Sequence, residues 1–348
     1  MFNPGELAEP IVQAPLAGGP STPALAIAVC EAGGLGFLAA GYKQPDDVRA
    51  EIDVVRAATD RPFGINLFVP SPRAADPATV RAYLEELLPE VARQGADLGE
   101  PRFDDDSWKE KLELVREACP AVVSFTFGCP SAEAMASLRE REIAVWVTVT
   151  TVEEAEQASE RGADALVVQG IEAGGHRGGF ADSDGTDGWG LLALLRVVSH
   201  TVEVQLVAAG GIADGAGVAA VMCAGASAAQ IGTALMLAPE SGTAEAQREL
   251  LAQPIPTRLT RAFTGRTARG LVNRFLDEHS AAAPAAYPEI HNATSPLRAA
   301  ARRHGDADAF NLWAGQAHTL ARELPAGEIV RELGAEARAV VRRLAQGA

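Results

Sequence analysis

Two glycine-edged turns and one histidine carry the chemistry available to this sequence of 348 residues. In Leu206-Val-Ala-Ala-Gly210-Gly211-Ile-Ala-Asp214-Gly215, an apolar β-like run ends in paired glycines and feeds a helix-like stretch. Lack of Cβ atoms lets backbone N–H groups approach a phosphate closely, and a helix N-terminus adds partial positive charge. The next apolar run ends in Gln230-Ile231-Gly232-Thr233, a second small-residue edge. One such turn is weak evidence; two on consecutive strands predict a ligand bearing a phosphate. The second signal is His176, inside Val167-Val-Gln169-Gly170-Ile-Glu172-Ala-Gly174-Gly175-His176-Arg177-Gly178-Gly179. Glycines on both sides remove bulk, so the imidazole could stand near a flat ligand as acid, base or hydrogen-bond donor. Asn66 lies inside an apolar run, where its amide needs a partner.

The elements that must position these residues follow from periodicity. Short runs rich in β-branched residues recur at 11–14, 35–39, 63–69, 121–127, 145–150, 165–169, 205–209 and 228–235, each followed by helical spacing. Most are apolar on both faces, as strands of a parallel sheet covered by helices are. Eight repeats in roughly 250 residues predict a (β/α)8 TIM barrel rather than an open doubly wound sheet. His176 then follows the sixth strand, and the two glycine turns follow the seventh and eighth, all at the C-terminal ends where such barrels keep their sites. Thr151 and Glu154 have capping-box spacing, and Asp214 could cap the helix that ends near Gly225.

Three regions are expected: a ligand-binding barrel over 1–252, a helical addition over its mouth at 253–318, and a tail at 319–348 packing back as an amphipathic helix. The gap between the third and fourth strands reads as one helix, with Leu84, Leu87, Leu88 and Val91, plus a long connection. The segment 170–190 holds eight glycines and is a binding-loop candidate. Arg177 and the arginines of the addition, Arg258, Arg261, Arg266, Arg269 and Arg274, read as solvated charges, with the option that one contacts an anionic substrate.

Composition excludes whole classes of function. Thirty Lys and Arg against forty-six Asp and Glu give a net charge of −16, which repels nucleic acid and anionic membrane surfaces. A hydrophobic share of 47% and a mean hydropathy of +0.04 describe a folding chain rather than a disordered one. The uncharged stretch 215–239 is broken by Gly and polar residues, so it reads as helix, stop and strand, not a membrane span. Cys30, Cys119, Cys129 and Cys223 lack metal or disulfide spacing and read as reduced core thiols of a cytoplasmic protein. His200, His279, His291, His304 and His318 show no metal spacing, so no metal is expected. Serine-hydrolase, zinc-protease and P-loop motifs are missing.

Taken in order, Pro10-Ile-Val-Gln-Ala-Pro-Leu-Ala-Gly-Gly19, Gly33-Gly-Leu-Gly36, Asn66, Glu172-Ala-Gly-Gly-His-Arg-Gly178, Ala208-Ala-Gly-Gly-Ile-Ala-Asp-Gly215, Gln230-Ile-Gly-Thr233 and Leu312-Trp-Ala-Gly-Gln316 resemble the nitronate monooxygenases over nearly the whole chain. The resemblance is to their bacterial class. It implies an FMN-dependent barrel in which Asn66, Gln169, Gly174, Gly211, Gln230, Ile231, Gly232 and Thr233 hold the cofactor and His176 is catalytic. Trp313 falls where the family places an aromatic near the substrate. The implied reaction passes one electron from a nitronate anion, such as propionate 3-nitronate, to oxidised flavin, and O2 completes conversion to a carbonyl compound and nitrite. Alternatives of the same superfamily are NAD(P)H-dependent enoyl-acyl carrier protein or quinone reductases, and a flavin-binding module without turnover is a further one. A monomer or homodimer is expected, with small-molecule nitronate and O2 as the partners.

Overall fold

The computed structural model describes residues 1–70, 75–182 and 188–347. Eight parallel strands form the main sheet: β1 (Ile11–Gln13), β2 (Gly36–Ala39), β3 (Phe63–Phe68), β4 (Val122–Thr126), β5 (Ala144–Val149), β6 (Ala165–Gln169), β8 (Gln205–Ala209) and β9 (Ala228–Ile231). Their order, β1-β9-β8-β6-β5-β4-β3-β2, brings β1 and β2 to the seam. A Val12–Leu35 bridge joins that seam. Gln13, fully buried, strengthens it by donating to Phe37 O at 2.9 Å and accepting from Phe37 N at 3.2 Å. The result is the (β/α)8 barrel that the apolar runs predict. The eighth strand ends at Ile231 rather than 235, because the chain turns at Gly232 into a 3-10 helix, Thr233–Leu235.

Helices start where their sequences say. Thr22 and Asp76 each accept backbone N–H bonds at the head of a helix whose first residue is proline, Pro23–Glu31 and Pro77–Glu86. Thr151 caps Val152–Glu160, and Asp214 caps Gly215–Cys223 by accepting from Gly217 N at 2.7 Å. The single helix expected between the third and fourth strands is two, Pro77–Glu86 and Leu88–Gln94, parted at Leu87 just before Pro89, and Trp108–Ala118 follows the connection.

Two cores hold the barrel. Inside, Val12, Phe37, Trp146, Val167 and Val207 fill the strand layer, with Phe2 against the Trp146 ring at 6.2 Å. Outside, the opposite strand faces pack on the helices, and Ala326–Gly347 lies against Gly215–Cys223 and Pro23–Glu31. Among the described residues no helix is long and apolar enough to cross a membrane. The cysteines are free, as expected, but only Cys30 is buried; Cys119 and Cys223 are exposed and Cys129 lies between.

The addition is not purely helical. Beside the helices Arg274–His279 and Glu289–His304, it contributes β10 (Thr257–Thr260) and β11 (Ala268–Leu271). These pair antiparallel and continue onto β7 (Gly175–His176), giving the order β10-β11-β7. Pro254 and Pro256 exclude a helix there, and threonines favour the strand. A two-residue strand such as β7 has no periodicity to read.

Candidate active site

At the C-terminal ends of the strands a cavity of about 430 Å³ opens between barrel and addition. Asn66, Gln169, Gly174, His176, Gly211, Gln230, Gly232 and Thr233 all line it. Ile231 does not: its side chain is buried in the outer core, and its carbonyl accepts from Ala14 N at 2.8 Å. In the segment 170–190 the glycine loop also borders the cavity through 173–176; residues 183–187 lie outside the described residues.

The two glycine edges end neighbouring parallel strands and lie side by side in the cavity lining. Gly211 has φ +67°, and a Cβ there would sit 3.0 Å from the Cβ of Glu172. The backbone N–H groups of Gly211, Gly232 and Thr233 donate to no other described residue. Gln230 is nearly buried, yet its side-chain amide makes no hydrogen bond among the described residues. Such groups are costly unless something pairs with them, so these atoms fit a polar ligand such as a phosphate with its attached ring system. One expectation changes. The helix N-terminus behind the turn is already occupied, Gly215 N by Glu336 Oε2 at 3.0 Å and Gly217 N by Asp214. A ligand at this turn would therefore meet turn amides rather than that helix end.

Asn66 is held by donation to Ser124 Oγ at 2.9 Å and Thr126 Oγ1 at 3.0 Å. Gln169 donates to His176 O at 3.1 Å and accepts from Gly178 N at 2.9 Å, so it shapes the histidine loop as well as facing the cavity. Gly174 permits a backbone crossing, since a Cβ would come within 2.4 Å of Gly315 N.

His176 sits on β7, paired with Ala268, rather than on a free loop. Its Nε2 lies 2.8 Å from Thr264 Oγ1, and that hydroxyl also donates to Arg266 O at 3.2 Å. The Nε2–Oγ1 hydrogen bond fixes the orientation of the imidazole, with either atom able to donate. Phe127, Tyr287 and Trp313 surround the ring at centroid distances of 5.7, 6.0 and 5.5 Å. Burial, then the charges of Arg266 and Arg298, push its pKa down to about 3, so the imidazole is neutral near pH 7.

The arginines are not solvated as expected. Arg177 donates to Gly170 O at 2.6 Å, Arg269 to Ile171 O at 2.9 Å, and Arg266 to Gly179 O while its guanidinium lies 4.1 Å over the Phe127 ring. Arg274 pairs with buried Glu90, and Arg261 with Asp182. Of the expected arginines only Arg258, paired with Asp277, is solvated. Those that reach the cavity are Arg298 and Arg302, which sequence reading missed, with Tyr42 and His291, stacked at 4.0 Å. A signal was there: His291, Ser295, Arg298 and Arg302 recur at helical spacing and all line the cavity. Burial pushes His291 well below its ordinary pKa, with Arg298 next in effect. Glu90, Glu278 and His279 could together reach an ion, but none of them lines the cavity, and arginines already hold the two carboxylates.

Fold and cavity define the class: a TIM-barrel enzyme with its site at the C-terminal mouth, closed over by an addition. The nitronate monooxygenase family profile matches residues 5–336. A nitronate monooxygenase of Pseudomonas aeruginosa is 44% identical, over 95% of this chain and 96% of its own, and one of Paraburkholderia phytofirmans is 41% identical, over 97% and 94%. Among solved structures, a nitroalkane oxidase from Streptomyces ansochromogenes superposes with a TM-score of 0.95 at 50% identity, covering 98% of this chain and 99% of the other. FabK from Thermotoga maritima shares the fold at a TM-score of 0.76 and 28% identity, over 99% and 97%. The chain belongs to the nitronate monooxygenase family, a family of flavoproteins, and is an oxidoreductase.

Proposed function

We propose that this enzyme oxidises alkyl nitronates with O2 to a carbonyl compound and nitrite, using FMN held at the barrel mouth. The observation that carries the reading is the juxtaposition, in one cavity, of unpaired amides at Gly211, Gln230, Gly232 and Thr233 with the half-buried imidazole of His176. In this reading the turn amides of Gly211, Gly232 and Thr233 take the phosphate, and Asn66, Gln169, Gly174 and Gln230 border the ring. Ile231 takes part only through its place in the backbone between Gln230 and Gly232. Bound there, FMN supplies the electron acceptor.

The chain's own residues do the rest. His176, Phe127 and Trp313 form an aromatic wall of the cavity against which one face of a small substrate can rest. A nitronate is already an anion and needs no strong base. Neutral His176, oriented by its hydrogen bond to Thr264, faces the substrate as a hydrogen-bonding group. The positive field comes from Arg298 and Arg302 rather than from an imidazolium.

The test is oxygen uptake with nitrite release from an alkyl nitronate, without any nicotinamide. Nitronate-dependent uptake supports the proposal. Bleaching of the flavin by NADH under anaerobic conditions, with no nitronate-dependent uptake, would transfer the assignment to a reductase. Neither response would leave a flavin-binding module.

A further inference from the structure

Arg298 and Arg302 stand one turn apart on Glu289–His304, and both reach the cavity. Their guanidinium groups converge on a single neutral acceptor, Asn311 Oδ1, at 3.1 Å from Arg298 Nη1 and 2.6 Å from Arg302 Nη2. Arg298 also donates through Nε to Thr294 Oγ1 at 3.1 Å and through Nη2 to His291 O at 3.0 Å. The side chain of Arg302 makes no other hydrogen bond among the described residues, so most of its donor fork has no protein acceptor. Among the described residues no carboxylate lies within ion-pair distance of either guanidinium.

This differs from every other arginine near the mouth. Arg177, Arg266 and Arg269 bind backbone carbonyls and hold the loop and sheet together, and Arg261 has the Asp182 carboxylate. Arg298, buried, and Arg302, half-buried with its guanidinium 5.1 Å over the Phe310 ring, are bridged by a neutral amide and no carboxylate, an arrangement that an anion would complete. Burial lowers the pKa of Arg298 to about 9, with Arg302 its next cause, which is the same cost seen from the proton's side. The amide cradle at Gly211, Gly232 and Thr233 already suits a phosphate, so this pair answers to a different anion. Its neighbours are substrate-side residues: His291 lies 3.3 Å from Arg298 Nη2, and Trp313, beside His176, is two residues from Asn311.

We propose that Arg298 and Arg302, held in register by Asn311, form a subsite for a planar oxyanion of carboxylate or nitrate type. Paired guanidinium forks match such a group in shape as well as charge. The anion is either a second acidic group on the substrate, an arm that rests on the nitronate reading, or a free oxyanion such as the nitrite released there. Both present the same planar pair of oxygens.

Calorimetric titration of the holoenzyme with sodium nitrate, against sodium chloride at equal ionic strength, reads the subsite without turnover. Arg302→Met is the main variant because the Arg302 side chain makes one protein hydrogen bond; Arg302→Lys and Arg298→Lys keep the charge and lose the fork. Nitrate affinity is expected to fall about 10-fold to 150-fold in Arg302→Met, the range set by a hydrogen bond to a charged group. Arg302→Lys should recover part of it. In parallel, kcat/KM is compared for a nitronate ending in a carboxylate and its methyl ester. A similar fall in that ratio in Arg302→Met assigns the subsite to the substrate's own acid. An unchanged ratio with weakened nitrate binding assigns it to a free oxyanion. If no nitronate is oxidised while nitrate binding still needs Arg302, the subsite stands and the nitronate reading fails. Equal nitrate affinity and an equal ratio in parent and variant overturn the proposal.

Discussion

His176 is neutral because the protein encloses it beside two guanidinium groups, and that has measurable consequences. Its ordinary pKa of 6.5 falls to about 3 in the folded chain, so kcat/KM should show no inflection near pH 6.5 attributable to this residue. The stability effect has a definite sign. Between 6.5 and about 3 the unfolded chain holds a proton that the native histidine does not. Stability from this source is therefore complete above 6.5 and is lost as pH falls toward 3. In His176→Gln, the loss of unfolding free energy between pH 7 and pH 4.5, measured in urea, should be smaller than in the parent; an equal loss would contradict the assignment. His176→Ala should lower turnover while flavin content stays near the parent's, as absorbance will show. At Gly211, with φ +67° and Glu172 close by, Gly211→Leu should yield mostly apo-protein; full flavin occupancy would remove the cradle from this turn. These residues were legible because glycine edges and a histidine among glycines are rare patterns. Arg298 and Tyr42 were not, because charge and aromaticity on a helix or loop look the same whether they face water or a cavity.

At the scale of elements, the loop carrying His176 is pinned from both sides. Gln169 holds the His176 carbonyl, and Glu172 accepts from Leu191 N with both carboxylate oxygens at 3.0 Å, capping Leu191–Thr201 from outside the helix. Truncation in Glu172→Ala should cost about 1–2 kcal/mol, readable as a lower urea midpoint, with Glu172→Gln losing less. The helix starts at Thr151 and Asp214 were readable since such side chains mark a cap chemically. The sheet that carries His176 was not, because β7 has two residues and its partner β11 lies 92 positions further on, counting from His176 to Ala268. Local spacing cannot report a pairing at that range.

For the whole molecule, the barrel was legible because its eight strands are short, mostly apolar on both faces and each followed by a helical segment, which few other architectures need. What holds the cofactor side of that barrel in place is remote. Ala326–Gly347 packs on Gly215–Cys223, and Glu336, bound to Arg322, takes the Gly215 amide. Leu333 is fully buried in that contact layer, so Leu333→Ala should destabilise the fold by about 2–5 kcal/mol in equilibrium unfolding. A loss under 1 kcal/mol would mean the helix is a passenger.

The sheet β10-β11-β7 also sets an order in time. The last barrel strand, β9, is complete at Ile231, the partner of His176 arrives only with β11 at Ala268–Leu271, and the carboxylate behind the glycine turn comes at Glu336. At about 5–20 residues per second, a few seconds separate each of these events on a growing chain. A nascent barrel therefore exposes an open mouth in which β7 still lacks its partner strand before the addition closes it, and the two halves of the site mature at different moments of the protein's synthesis.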